Sequence, residues 1–129
     1  MSETAHSTDV EKNKKIVEGF VEDAFNRYNL SVLEKYYVAN LKQHSSQVPQ
    51  GREGYKQYLE AFFEDFVDVR ADIDHIVAEK DKVMAIITTR ATNKQIGKRV
   101  TIRTADLFRI ENCMIAEHWD VIDTSNCAS

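Results

Sequence analysis

The stretch VTIRTADLFRIENCMIAEHWDVID, residues 100–123, decides how the rest of this sequence is read. It is rich in Ile, Leu, Phe, Met and Val and is broken near its centre by Glu111-Asn112, the pattern of two strands joined in a hairpin. One strand carries Asp106, and the other carries the run Glu117-His118-Trp119-Asp120. Carboxylates and imidazoles on apolar strands are costly to bury unless they are paired or used. The hairpin is therefore the first place to look for a site.

The turn sets which polar groups share a face. A two-residue loop at Glu111-Asn112 pairs Ile110 with Cys113; Asp106 then lies with Glu117 and Trp119, and His118 and Asp120 point away. A three-residue loop, Glu111-Asn112-Cys113, pairs Ile110 with Met114, Asp106 with His118 and Thr104 with Asp120. One residue of slip reverses the whole set. The three-residue loop is favoured, because its bulge needs a left-handed residue and Asn tolerates that conformation, whereas a type I′ pair prefers Asn or Asp followed by Gly. One face then carries Thr104, Asp106, Phe108, Ile110, Met114, Ala116, His118, Asp120 and Ile122. An apolar floor with polar groups at one end is the layout of a small-molecule pocket. The other face carries Leu107, Ile115, Trp119 and Val121 with no helix left to cover it, so a homodimer through that face is expected.

Upstream of the hairpin the pattern has two periods. Val69, Ala71, Ile73, His75 and Val77 alternate with polar residues, which reads as a strand with His75 facing inward in a structural role. Residues 82–92 form a second strand, and two more follow in the hairpin region, giving a four-stranded antiparallel meander. Before residue 66 the period is helical. Ile16, Val17, Phe20, Val21, Ala24, Phe25 and Tyr28 lie on one stripe after a Thr8–Glu11 capping box. Ser31 and Glu34 open a short helix that buries Leu33, Tyr36 and Tyr37, and residues 42–50 read as a polar loop. A third helix from Gly51 to Phe66 presents Tyr55, Leu59, Phe62, Phe63 and Phe66, with Tyr58 beside them. Helices before strands indicate an α+β domain with a cleft between its layers. Residues 1–8 are expected to be a disordered lead, 9–123 one domain, and 124–129 a polar tail.

A chain of 129 residues with 43% apolar and 29% charged residues is one ordinary globule. A net charge of −4, without a basic cluster, argues against a nucleic-acid surface. No apolar run approaches the roughly 20 residues of a membrane span. Cys113 and Cys127 make no disulfide framework, and the polar start carries no export signal, so a cytoplasmic location is expected.

Several segments together resemble the SnoaL-like polyketide cyclase family of the nuclear transport factor 2-like superfamily. They are Gln43-His44, Gly51-Arg-Glu-Gly54, residues 76–83, Asp106-Leu-Phe-Arg-Ile110 and, most specific, residues 115–123 around His118-Trp119-Asp120. The resemblance covers roughly residues 10–123. It implies a cystatin-like fold, with a curved sheet wrapped on three helices around a cone-shaped pocket, usually as a dimer. It also implies an aspartate after His-Trp that abstracts a proton next to a carbonyl, so that an intramolecular aldol condensation closes a ring without metal or cofactor. That aspartate matches Asp120, and its neighbouring histidine matches His118. The position of Asp106 is a His in the founding cyclases, the usual Asn-Pro after Gln-His is Ser45-Ser46 here, and the usual Asp-Gly turn is Glu111-Asn112.

The residue chemistry agrees with that expectation without requiring it. Asp120 beside Phe108, Met114 and Asp106 has the surroundings that raise a carboxylate's pKa. His118 would polarise the carbonyl or orient the base, and His44 would donate to the developing enolate. Thr104, Phe108, Met114, Phe62 and Tyr28 complete the expected substrate contacts. The plainer alternative is a satisfied Asp106–His118 pair with Asp120 capped by Thr104 or a backbone amide. Asp106, His118 and His44 are metal-ligand types, but no close-spaced pair accompanies them, and no metal or cofactor is expected. The expectation is a cofactor-free enzyme acting on a small apolar carbonyl compound by aldol-type cyclisation or keto-enol isomerisation. A non-catalytic ligand-binding module and a protein-interaction domain on the same scaffold are the alternatives.

Overall fold

A computed structural model describes the backbone of residues 2–123 and the side chains of residues 9–123. The lead and tail expected at 1–8 and 124–129 fall outside the described side chains. Helix α1, Ser2–Phe20, passes directly into a π-helical turn, Val21–Asn26. A short 3₁₀ turn, Leu30–Val32, and helix α2, Leu33–Tyr36, lead into strand β1, Tyr37–Gln43. Helix α3, Gly51–Asp65, is followed by β2, Phe66–Glu79, β3, Lys82–Asn93, β4, Lys98–Glu111, and β5, Met114–Ile122. The α+β class and three helices are as expected, but the sheet has five strands in the order β1-β5-β4-β3-β2. The added strand, β1, runs parallel to β5. It lies where the sequence reads as the end of a helix and the start of a loop. Its register breaks between Tyr37 and Lys42, and only Tyr37, Leu41 and Gln43 are buried, so no clean period-two signal marks it.

The core lies between α1, the π turn and α3 on one side and the inner sheet face on the other. Val17, Phe20, Ala24, Leu33, Tyr37, Leu59, Val83, Phe108 and Ile115 are all nearly or fully buried in it. Two side chains pin helix to strand. The Asn26 amide takes the N–H of Ala71 at 2.7 Å and donates to its carbonyl at 3.0 Å, standing in for a strand neighbour at the sheet edge. Arg52 Nη1 donates to the Tyr37 carbonyl at 3.0 Å, which anchors the start of β1 to α3. Gly54 lets α3 approach the loop before it: a Cβ there would stand 2.8 Å from Pro49 Cβ.

Bulges set the faces of the long strands. In β2 the register slips between Ile73 and His75. Ile76 and Ala78 therefore turn to the core, while His75 is exposed and Val77 is 63% exposed. The inward, structural His75 expected from simple alternation is corrected by that one extra residue.

The closing turn differs in a similar way. Glu111 pairs with Met114, so the loop is the two residues Asn112-Cys113, both left-handed at φ 52° and 65°. These are the signs of a type I′ turn, here without its usual Gly. A bulge then takes up Ala116, because Ile110 pairs with Ile115 but Arg109 pairs with Glu117. The expected three-residue loop is absent, yet the bulge returns Asp106, His118 and Asp120 to one face. The register along that face is two residues from the expected one. Asp106 opposes Asp120, Phe108 opposes His118 and Thr104 opposes Ile122. Ile115 is a core residue, fully buried, and not part of the outer face.

Candidate active site

The inner face of β3, β4 and β5 meets the aromatic faces of α1, the π turn and α3 around a cavity of about 130 Å³. Phe20, Phe25, Tyr55, Tyr58, Leu59 and Phe62 line it from the helices; Ile87, Thr89, Ile102 and Phe108 line it from the strands. Val48 reaches it from the loop between β1 and α3. Its polar groups gather at one end: Thr104, Asp106, His118 and Asp120. The volume is below the roughly 300–1,000 Å³ of drug-sized ligand sites, so a multi-ring ligand needs the lining aromatic side chains to move.

The polar groups form a chain of hydrogen bonds. Thr104 Oγ1 donates to Asp106 Oδ2 at 2.5 Å. Asp106 Oδ1 lies 2.9 Å from His118 Nε2. His118 Nδ1 lies 2.7 Å from Gln43 Oε1. Asp106 and His118 are both buried, at 8% and 5% exposure. Asp120 stands apart from this chain, half-buried and opposite Asp106. Burial holds its carboxyl above the ordinary carboxylate range; His118 pulls it down, Asp106 pushes it up, and the hydrogen bond from Ser45 pulls it down. Burial is the larger effect, so the net direction is upward.

Two phenols complete the polar end. Tyr55 is buried and its hydroxyl is held far above its usual range, first by burial and next by the Asp106 charge. Tyr58 is raised by burial and by Asp120. Both rings come from α3, one turn apart, with centroids 6.4 Å apart.

Asp106, His118, Asp120, Thr104, Phe108 and Phe62 thus line the cavity, and His44, Met114 and Tyr28 do not. His44 lies on the outer side, its ring stacked on Trp119 at 4.8 Å and its Nε2 2.6 Å from Glu117 Oε2. Met114 sits beside the closing turn, on the residue before the core-facing Ile115. The Tyr28 hydroxyl accepts the N–H of Val69 at 2.8 Å, and its ring lines a separate surface groove with Phe63, Phe66 and Glu64. From the sequence alone packing is the better reading for Tyr55 and Tyr58, though Tyr58 could place a hydroxyl in the pocket, and Gln43, Ser45 and Val48 carry no site role. The polar run at 42–50 held the signal for the last three, but not their direction.

One ligand atom each from Asp106, His118 and Asp120 lie within 4.8 Å of one another, a spacing that could hold a metal ion. Both nitrogens of His118 are already turned to hydrogen-bond partners, however, and a metal would have to break the bond to Asp106.

The match of this chain to known proteins agrees with the geometry. A family model for SnoaL-like polyketide cyclases matches residues 15–128. The chain belongs to the SnoaL-like polyketide cyclase family. TsrD from Streptomyces laurentii superposes with a TM-score of 0.82 at 22% identity, covering 91% of this chain and 92% of that one. AclR from Streptomyces galilaeus, named as a candidate hydroxylase, gives 0.81 at 24% identity over 92% and 93%. A SnoaL-like polyketide cyclase from Agrobacterium tumefaciens gives 0.78 at 20% identity over 90% and 94%. At these identities the likeness is one of fold. No curated protein sequence matches the chain significantly. Among the described residues of this SnoaL-like chain no helix is long and apolar enough to cross a membrane.

Proposed function

We propose that this SnoaL-like protein is a cofactor-free enzyme in which Asp120 abstracts a proton next to a carbonyl of a small apolar, polyketide-type compound. The observation that carries the reading is the place of Asp120, a half-buried carboxylate at the polar end of an apolar cavity, where burial holds it above the ordinary carboxylate range. A base tuned upward takes a carbon-bound proton more readily near neutral pH than an ordinary carboxylate does. Asp106 opposite raises Asp120 further, while the bonds to Thr104 and His118 occupy its own oxygens. His118, engaged at both nitrogens, orients rather than polarises. The charge that develops on the carbonyl oxygen is met by a phenol: Tyr58 and Tyr55 line the same cavity and stay protonated. This replaces His44 in the donor role. The enolate then attacks a second carbonyl in an aldol-type cyclisation, or is reprotonated at another atom in a keto-enol isomerisation.

The same reading takes the protein to be a cytoplasmic homodimer. The support for the dimer is the outer sheet face, where Leu107, Trp119 and the 72%-exposed Val121 lie without a covering helix among the described residues. Ile115, buried in the core, is no part of that surface.

The direct test is exchange of carbon-bound hydrogen for deuterium in a panel of β-dicarbonyl and aromatic keto-ester compounds. The parent is expected to exchange at least one of them, and Asp120→Asn to lower that rate about 10²- to 10⁴-fold. An equal rate in the variant would sink the assignment of the base.

A further inference from the structure

We propose that Gln43 is a positioning residue that holds His118 in its Nδ1-protonated form and so reserves Nε2 for Asp106. The inference deepens the reading of Asp120 as base, and its catalytic meaning rests on that reading. Gln43 is the last residue of β1, 4% exposed, and its Cα is registered against His118 on β5. Its Oε1 lies 2.7 Å from His118 Nδ1 and also accepts the backbone N–H of Ser45 at 3.2 Å. The second contact decides the orientation of the amide. A backbone N–H only donates, so the atom facing it must be the oxygen. That oxygen only accepts, so His118 Nδ1 must carry the proton between them.

The other half of the amide gives independent support. Gln43 Nε2 is buried and has no hydrogen-bond partner among the described residues. Turning the amide over would set NH₂ against the Ser45 N–H and demand a lone pair on His118 Nδ1. The orphaned nitrogen is the cost of keeping an acceptor where it is. The backbone of Gln43 is held just as closely. Gln50 Oε1 takes its N–H at 3.0 Å, and Gln50 Nε2 donates to its carbonyl at 2.6 Å.

The groups facing His118 leave no other role for its second nitrogen. Asp106 and the Phe108 ring come from β4, the Tyr55 ring from α3 with centroids 6.5 Å apart, and Asp120 lies two residues along β5. Among the described residues Asp106 alone meets Nε2, at 2.9 Å. With Nδ1 committed, the ring exchanges a proton only through Nε2. A neutral Gln43 thereby makes Asp106 the proton partner of His118: one proton lies between Oδ1 and Nε2, on Nε2 when the ring is an imidazolium and on Oδ1 when the ring is neutral.

Long-range ¹H–¹⁵N spectra of the full chain test this without any substrate. The sequence has 4 His, and a His118→Gln spectrum identifies the relevant signals. The neutral ring of the parent is expected to show protonated Nδ1 and bare Nε2. Gln43→Leu is expected to turn it to the commoner Nε2–H form. Gln43→Glu, the same size, is expected to keep both nitrogens protonated to higher pH than in the parent. A parent ring with bare Nδ1 overturns the proposal, as does an Nδ1–H signal unchanged in Gln43→Leu. Should Gln43→Leu not fold, an unchanged His118 titration in Gln43→Glu overturns it equally. Where a compound is turned over, Gln43→Leu is expected to lower kcat about 10-fold or more with KM little altered. Asp120→Asn with parental turnover and an intact Nδ1–H signal would remove the base and leave this positioning role standing.

Discussion

The two faces of the β1–β5 junction carry nearly the same chemistry with opposite consequences. Gln43 and His118 point inward, while their chain neighbours His44 and Glu117 point outward. Each side has one histidine and a carboxylate within hydrogen-bond distance: His118 with Asp106 at 2.9 Å, and His44 with Glu117 at 2.6 Å. The inner pair has side chains only 7% and 11% exposed, whereas those of the outer pair are 45% and 16% exposed. Water screens the outer pair, and Arg109 shares its carboxylate through a 2.8 Å bond. The inner pair's further hydrogen-bond partners among the described residues are the uncharged Thr104 and Gln43. Distance alone would rank the outer pair higher; the surroundings reverse the order.

The largest expected effect is on stability. His118→Ala leaves Asp106 buried without its main partner and is expected to cost about 3–5 kcal/mol in urea unfolding. His44→Ala on the outer face is expected to cost about 1 kcal/mol or less, because exposed pairs contribute little. Equal losses would break the comparison.

The next effect is the sign of the pH dependence. Glu117 is held below its ordinary range, chiefly by the hydrogen bond from Arg109 and then by that from His44. Its contribution to stability is present above the unfolded carboxylate pKa and is lost as pH falls through the lower folded value. Asp120 is held above its ordinary range, so its folded form binds a proton more tightly than the unfolded chain does. It favours the folded state in acid, and that advantage is lost as pH rises through the folded value. Between about pH 2 and pH 8 both effects run: Glu117→Gln is expected to lose ground to the parent as pH rises to the unfolded carboxylate value of about 4, and Asp120→Asn to gain it as pH rises above that value. Parallel urea curves across that range would contradict the contrast between the faces.

The smallest expected effect concerns association. Val121→Glu places a charge on the open outer face and is expected to shift sedimentation from dimer to monomer while leaving the hydrogen-exchange activity of the cavity within a few-fold. A parent that sediments as a monomer would remove the dimer and leave the inner face untouched.

Much of this was legible in residues 100–123. The outnumbering of polar by apolar residues marked two strands, and Asp106, His118 and Asp120 were correctly read to one face. The route to that face was different, however. A three-residue loop was expected, and the chain instead uses a two-residue Asn112-Cys113 turn and a bulge at Ala116. Each change alone would have reversed the face; together they shift the register by two residues and preserve it. Ile115 and Met114 lie next to the bulge and were misplaced for that reason, as His75 was by the bulge in β2.

By itself the sequence determined the α+β class, the helical stripes, the long strands and the parity that gathers the carboxylates and the imidazole. These are local periodicities, and a side chain's face follows from its spacing along its own element. Only the tertiary structure decided that residues 37–43 form a strand, because their sole ladder partner, β5, lies more than 70 residues away in the chain. It also decided that Gln43 faces inward against His118 while His44 faces outward against Glu117. A strand at the edge of a sheet takes its direction from the neighbour it finds, and that neighbour exists only once the chain has closed.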